Sequence, residues 1–224
     1  MKLETCLIEG NENLSISDML SRKEVKAEDV AKNVIKNPRL LPELFNGISS
    51  ENTRTRFKSA KVLRIISAEN PEMLYSKMHF FTNLLNSKNK ILKWIAIDVI
   101  GNLSSVDTEN KFDKIFNKFF DLLADESMIT AGHVIDSSGK IARAKPHLQD
   151  KITKELLRVE KTEYKTSECK NILLGKVILS FSQYIDQISD TEEMVSLAKR
   201  QRANPRKATR VKAEKFLRTH NSVG

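Results

Sequence analysis

The sequence predicts an all-α protein, a right-handed α-solenoid (superhelix) of about five stacked helical pairs. Three observations carry that prediction. Only 7 Gly and 5 Pro occur in 224 residues, too few turn-formers for the many short strands of a β-sandwich or barrel. Apolar residues recur at the 3.6-residue rhythm of a helix along most of the chain. That pattern itself recurs, with a period of 36 to 38 residues.

Taken in order, residues 1–37 read as an N-terminal segment and helical cap. Its first eleven residues show no pattern, and Ser15 to Asn37 carries one or two short helices (Ile16, Met19, Leu20; Val25, Val30, Val34, Ile35). Repeat one, 38–69, opens at Asn37-Pro38 and carries Leu40, Leu41, Leu44, Phe45 and Ile48. Repeat two, 70–108, opens at Asn70-Pro71 and carries Met73, Leu74, Met78, Phe81, Leu84 and Leu85. Proline suits the first helical turn, where its missing N–H has no partner to lose. Repeat three, 109–145, carries Phe112, Ile115, Phe116, Phe119, Leu122 and Leu123 as one stripe. Repeat four, 146–188, begins at Pro146 with Leu148, Ile152, Leu156 and Leu157.

Each stripe is followed by a second helix, and these second helices align. Leu63, Ile100, Ser138 and Leu174 stand 37, 38 and 36 residues apart, while Ile48, Leu85 and Leu123 keep the same register in the first helices. Residues 189–224 form a degenerate fifth pair, Glu192–Arg202 and Arg206–Thr219, with a thin apolar face of Met194, Val195, Leu197, Val211, Phe216 and Leu217. A thin face suits a cap, because a terminal repeat presents a polar outer side to water.

Within the second helices, Arg56, Ser59, Ala60, Val62, Leu63 and Ile66 form a pattern that Lys93, Ala96, Val99, Ile100 and Leu103 follow, with Lys in place of Arg. This resembles the second helix of the HEAT family of helical repeats, with the armadillo type as a near neighbour. The resemblance covers residues 38–188 and, more loosely, the flanks. It implies that the second helices line a concave surface on which a macromolecule, foremost a protein, is bound without catalysis.

Net charge is +9, and the last 34 residues hold nine basic against three acidic side chains, two thirds of that excess. Two cysteines, Cys6 and Cys169, make no disulfide framework, and Met1–Cys6 has no apolar run of a leader, so a reducing cytoplasmic setting is expected. The most apolar stretch, Ile172–Ile185, is interrupted by Lys176, Ser180, Ser182 and Gln183, so no membrane span is expected. Four histidines show no metal-ligand spacing and no Gly-rich phosphate loop occurs, so no cofactor, metal or catalytic group is assigned.

Two surfaces remain as candidates. A polar ladder on the second helices comprises Lys93, Trp94, Asp98, Asn102, His133, Asp136, Lys140 and Lys176, the best contacts for a protein partner. In the third repeat Gly132, Ser137, Ser138 and Gly139 replace expected apolar or helix-favouring residues, which marks either a ligand or simply close helix packing. His133, Asp136 and Lys140 share one helical face by spacing, so a His133–Asp136 contact is the plain expectation. The second surface is a basic stripe of Lys199, Arg200, Arg202, Arg206, Lys207, Arg210 and Arg218, supplemented by Lys140, Arg143 and Lys145. It is the alternative, nucleic-acid-binding reading, since such a stripe holds phosphates by releasing counterions. Trp94 and Asp98, one turn apart, also invite comparison with HEAT-like DNA glycosylases, a third and more distant reading.

Overall fold

A computed structural model of the chain describes residues 15–220. The opening segment, with Cys6 and the leader considered there, lies outside them. The described residues form thirteen α-helices joined by short 3-10 turns, with no strand among them. None of these helices is long and apolar enough to cross a membrane. The chain divides into two compact units, Met1–Met73 and Leu74–Gly224.

In the first unit, α1 (Ile16–Ser21), α2 (Ala27–Lys36) and α3 (Leu41–Ile48) all pack against the long α4 (Thr53–Glu69). Ser15 caps α1 by accepting the Asp18 amide, so two short helices stand where the cap was expected. Leu20, Val30, Val34, Leu44, Leu63 and Ile66 are wholly buried and make the core. Small residues let α3 and α4 approach: a Cβ on Gly47 would overlap the Ser59 hydroxyl. From α4, Lys58 Nζ donates to the Val25 carbonyl at 2.6 Å and pins the connection between α1 and α2.

The short α5 (Glu72–Tyr75) falls at the division. The second unit continues with α6 (Met78–Leu84), α7 (Lys90–Leu103), α8 (Phe116–Phe120), α9 (Met128–Ala144), α10 (Gln149–Arg158), α11 (Ser167–Phe181), α12 (Glu192–Gln201) and α13 (Lys207–His220). Here α9 packs against both α7 and α11, and α11 packs against α13. The N-cap residues Asn52, Asn89, Ser127 and Thr166 start α4, α7, α9 and α11 at spacings of 37, 38 and 39. Asn52 and Asn89 each accept two backbone amides of the first turn, which fixes where their helices begin. The aligned Leu63, Ile100, Ser138 and Leu174 are all buried, as are Ile48, Leu85 and Leu123.

Three expectations are corrected. The single helix over Phe112–Leu123 is instead a 3-10 turn (Asp113–Ile115), the five-residue α8 and a second 3-10 turn (Asp121–Ala124). Its aromatic side chains pack on one another, with Phe112 and Phe119 centroids 5.3 Å apart and Phe116 and Phe120 4.6 Å apart. The Phe116–Phe120 contact is an i, i+4 pair within α8, whereas Phe112 precedes the first 3-10 turn and reaches Phe119 from outside that helix. The stripe opened by Asn70-Pro71 likewise splits, into α5 and α6. Val211, assigned to the apolar face of the last pair, is 52% exposed, whereas Met194, Leu197, Phe216 and Leu217 are buried.

Candidate functional site

The candidate ladder is assembled between successive second helices, each side chain meeting a partner about one repeat away. Lys93 on α7 donates to Asp125 Oδ2 at 2.9 Å, and Trp94 Nε1 donates to the Thr130 hydroxyl at 3.0 Å. The Trp94 ring stacks on His133 of α9, centroids 5.7 Å apart and planes 12° from parallel. His133 Nδ1 in turn lies 2.7 Å from Asp98 Oδ1 on α7. Further along the same pair of helices, Lys140 Nζ donates to Asn102 Oδ1 at 2.7 Å. Between α9 and α11, Lys176 Nζ forms an ion pair with Asp136.

Seven of the eight ladder residues meet one another, in the groups Trp94–His133–Asp98, Asn102–Lys140 and Asp136–Lys176, while Lys93 pairs outside the set with Asp125, and the partners differ from those the helical spacing suggested. His133 does not pair with Asp136 three residues on; it reaches back to α7, while Asp136 reaches forward to α11. The i, i+3 spacing permits a contact along the helix, but Asp98 and Lys176 on the facing helices take the two side chains instead. The members differ in exposure: the side chains of Lys93, Asp125 and Asp98 are mostly covered, at 17%, 15% and 19%, and Asp136 is open at 53%. Burial pushes the Asp125 carboxyl up, but the Lys93 ammonium, the Ser127 amide and the Thr130 hydroxyl outweigh it and hold it below the usual carboxylate range.

The irregular composition of the third repeat is explained by contact with neighbouring side chains. A Cβ on Gly101 would stand 2.7 Å from Ser137 Cβ and 3.4 Å from its Cα, so α7 and α9 touch almost backbone to backbone there. Ser137 and Ser138 are buried and donate to the Ile97 and Val134 carbonyls. Gly132 leaves room for the stem of Lys176, and Gly139 for the Gln183 amide.

Three of the seven residues of the basic stripe are engaged within the fold. Arg200 grips Glu160 with two nitrogens, at 3.0 and 2.7 Å, Arg206 pairs with Glu168, and Arg210 donates to the Asn204 and Pro205 carbonyls at 2.8 Å. Lys199, Arg202, Lys207 and Arg218 are exposed and make no ion pair among the described residues. Lys145, expected to supplement the stripe, is instead 2% exposed and lies 2.9 Å from the wholly buried Asp107 carboxylate. Such a charge is part of the interior and is not available to a phosphate.

Sequence reasoning missed Asp125, Thr130, Asp107 and the Lys145 network. Tyr75 Oη donates to Asp107 Oδ1 at 2.7 Å, and the amides of Lys111 and Phe112 donate at 2.8 and 2.9 Å. The available signal was the period: polar residues 32 to 38 positions beyond Lys93, Trp94, Tyr75 and Asp107 are their partners. Cys169 is half-buried at the start of α11, 3.1 Å from the Thr166 hydroxyl. Open clefts in the second unit lie between first helices and are of mixed charge; one of about 410 Å³ is lined by Lys154, Arg158, Glu160, Glu192 and Arg200.

No family model and no curated protein matches the chain. Among solved structures it is similar to an engineered protein from the Northeast Structural Genomics Consortium, with a TM-score of 0.55 and 14% identity, over 92% of this chain and 87% of that one. At that identity the likeness concerns the fold alone.

Proposed function

We propose that the chain is a HEAT-like helical repeat, a right-handed α-solenoid, that serves in the cytoplasm as a non-catalytic scaffold and binds a protein partner over its second helices. One observation carries this reading. Seven polar or aromatic side chains on α7, α9 and α11 are tied to one another between neighbouring helices, and among them Asp136, Lys140 and Lys176 still reach the surface. Side chains fixed in advance lose little freedom on binding, and Trp94 adds a rigid aromatic contact. Regular steps between repeats support the solenoid: cross-links such as Asp98–His133, Asn102–Lys140 and Asp136–Lys176 span 35, 38 and 40 residues.

Carboxylates interleave with the lysines along this face, a mixed pattern that suits a protein surface better than a polyphosphate. The test is quantitative capture from native extract by the full chain and by a Trp94→Ala, Lys140→Glu, Lys176→Glu variant that leaves the deeper Lys93–Asp125 pair intact. Loss of a reproducible protein from the variant, with unchanged helical content, is expected. Identical captured sets contradict the reading.

The exposed Lys199, Arg202, Lys207 and Arg218 favour a second reading, phosphate binding at the last helical pair. Nucleic-acid capture abolished by their replacement, and indifferent to the ladder, is its signature.

A further inference from the structure

Lys140, Lys176 and Lys212 stand 36 residues apart on α9, α11 and α13. The first two ammoniums are satisfied from the preceding second helix, by Asn102 and Asp136. Lys212 donates no hydrogen bond to any described residue. The reason lies in the repeat register. Where α7 offers Asn102 and α9 offers Asp136, the aligned positions of α11 hold Lys176 and Ile172, neither of which accepts.

Lys212 is nevertheless not a loose surface lysine. Its Cδ and Nζ come within 3.4 and 3.5 Å of where a Cβ on Gly175 would stand, so the stem lies flat across the α11 backbone. Burial, then the charges of Lys176 and Arg206, push its ammonium below the usual lysine range, with Asp136 opposing. Lys176 and Arg206 already hold Asp136 and Glu168. Three cations and two carboxylates leave the cluster one positive charge, centred on a half-buried donor with three unused hydrogens.

We propose that this cluster takes a carboxylate of the protein partner, so that the partner docks an acidic peptide segment with one Asp or Glu on Lys212. A single carboxylate neutralises the residual charge; a polyphosphate brings excess negative charge against Asp136 and Glu168. The inference rests on the partner-binding reading and specifies its chemistry.

The test is an NMR titration of the full chain with a short peptide carrying a single Glu, set beside its Gln counterpart and a single-stranded DNA oligonucleotide. The Glu peptide is expected to shift signals of α11 and α13 and to bind about tenfold more weakly to Lys212→Gln, the loss of one charged hydrogen bond, while Lys212→Arg retains binding. No shift with the Glu peptide, equal binding of the Gln peptide, or equal binding by Lys212→Gln overturns the proposal. DNA binding at Lys212 more tightly than the peptide does so as well. Native capture that depends on Trp94 and Lys140 but not on Lys212 defeats this inference alone. Peptide binding at Lys212 with native capture indifferent to the ladder defeats the broader reading instead.

Discussion

His133 Nδ1 and Asp98 Oδ1 stand 2.7 Å apart, joining α9 to α7 across 35 residues of chain, and the same imidazole covers one face of the Trp94 indole. The hydrogen bond orients the ring and the stack places it. Cross-links of this form, repeated at the period of the sequence, fix the registry of one second helix on the next.

Trp94 is the sole tryptophan, so it reports on that contact directly. His133→Ala is expected to uncover the indole, shift its emission to the red and cost about 1 kcal/mol of stability. Lys199→Ala, on α12, is the control that leaves the emission spectrum unchanged.

Two glycines separate backbone approach from helix propensity. Gly101→Ala drives a Cβ into Ser137 Cβ and Cα and is expected to destabilise by about 1–3 kcal/mol. Gly132→Ala meets only the flexible Lys176 stem, at 3.4 Å, and is expected to be neutral or to gain up to about 1 kcal/mol. Urea denaturation of both variants checks the opposite signs.

The buried Asp107–Lys145 pair predicts an acid transition. Burial pushes the Asp107 carboxyl up, but the Phe112 amide, Lys145, Tyr75 and the Lys111 amide outweigh it and hold the carboxyl below its ordinary 3.8. A carboxyl lowered in the folded state contributes stability that is complete above the unfolded value and drains as pH falls through the folded one. Thermal midpoints are therefore expected to drop below about pH 4. Lys145→Met is expected to cost about 3 kcal/mol, and Asp107→Ala, which strands three further donors, about 5 kcal/mol.

Ionic strength distinguishes the partner classes. Binding through the mixed-charge ladder is expected to weaken by less than about tenfold between roughly 50 and 200 mM salt, whereas six or more phosphate contacts would cost about a thousandfold. Isothermal titration of the captured partner across that range measures the slope.

The second helices and the buried register residues were legible because both are periodic properties: Leu63, Ile100 and Leu174 recur at one depth. The same period lines up Asn102, Lys140 and Lys176 as register positions. Their pairing was not legible, since Lys145 and Lys140 look alike in sequence yet one meets Asp107 in the interior and the other Asn102 at the surface. Neither was the breakage of the Phe112–Leu123 stripe into two 3-10 turns around α8, since its apolar spacing is that of a continuous helix.

The most direct measurement is site-specific photo-crosslinking in native extract. A photoreactive residue at Ile129 or Lys140, both exposed on α9, is expected to trap one and the same protein, and the same probe at Lys151 or Lys154 on α10 is expected to trap none of it. Capture of that protein from α10 alone, or from neither helix, would contradict a partner surface on the second helices.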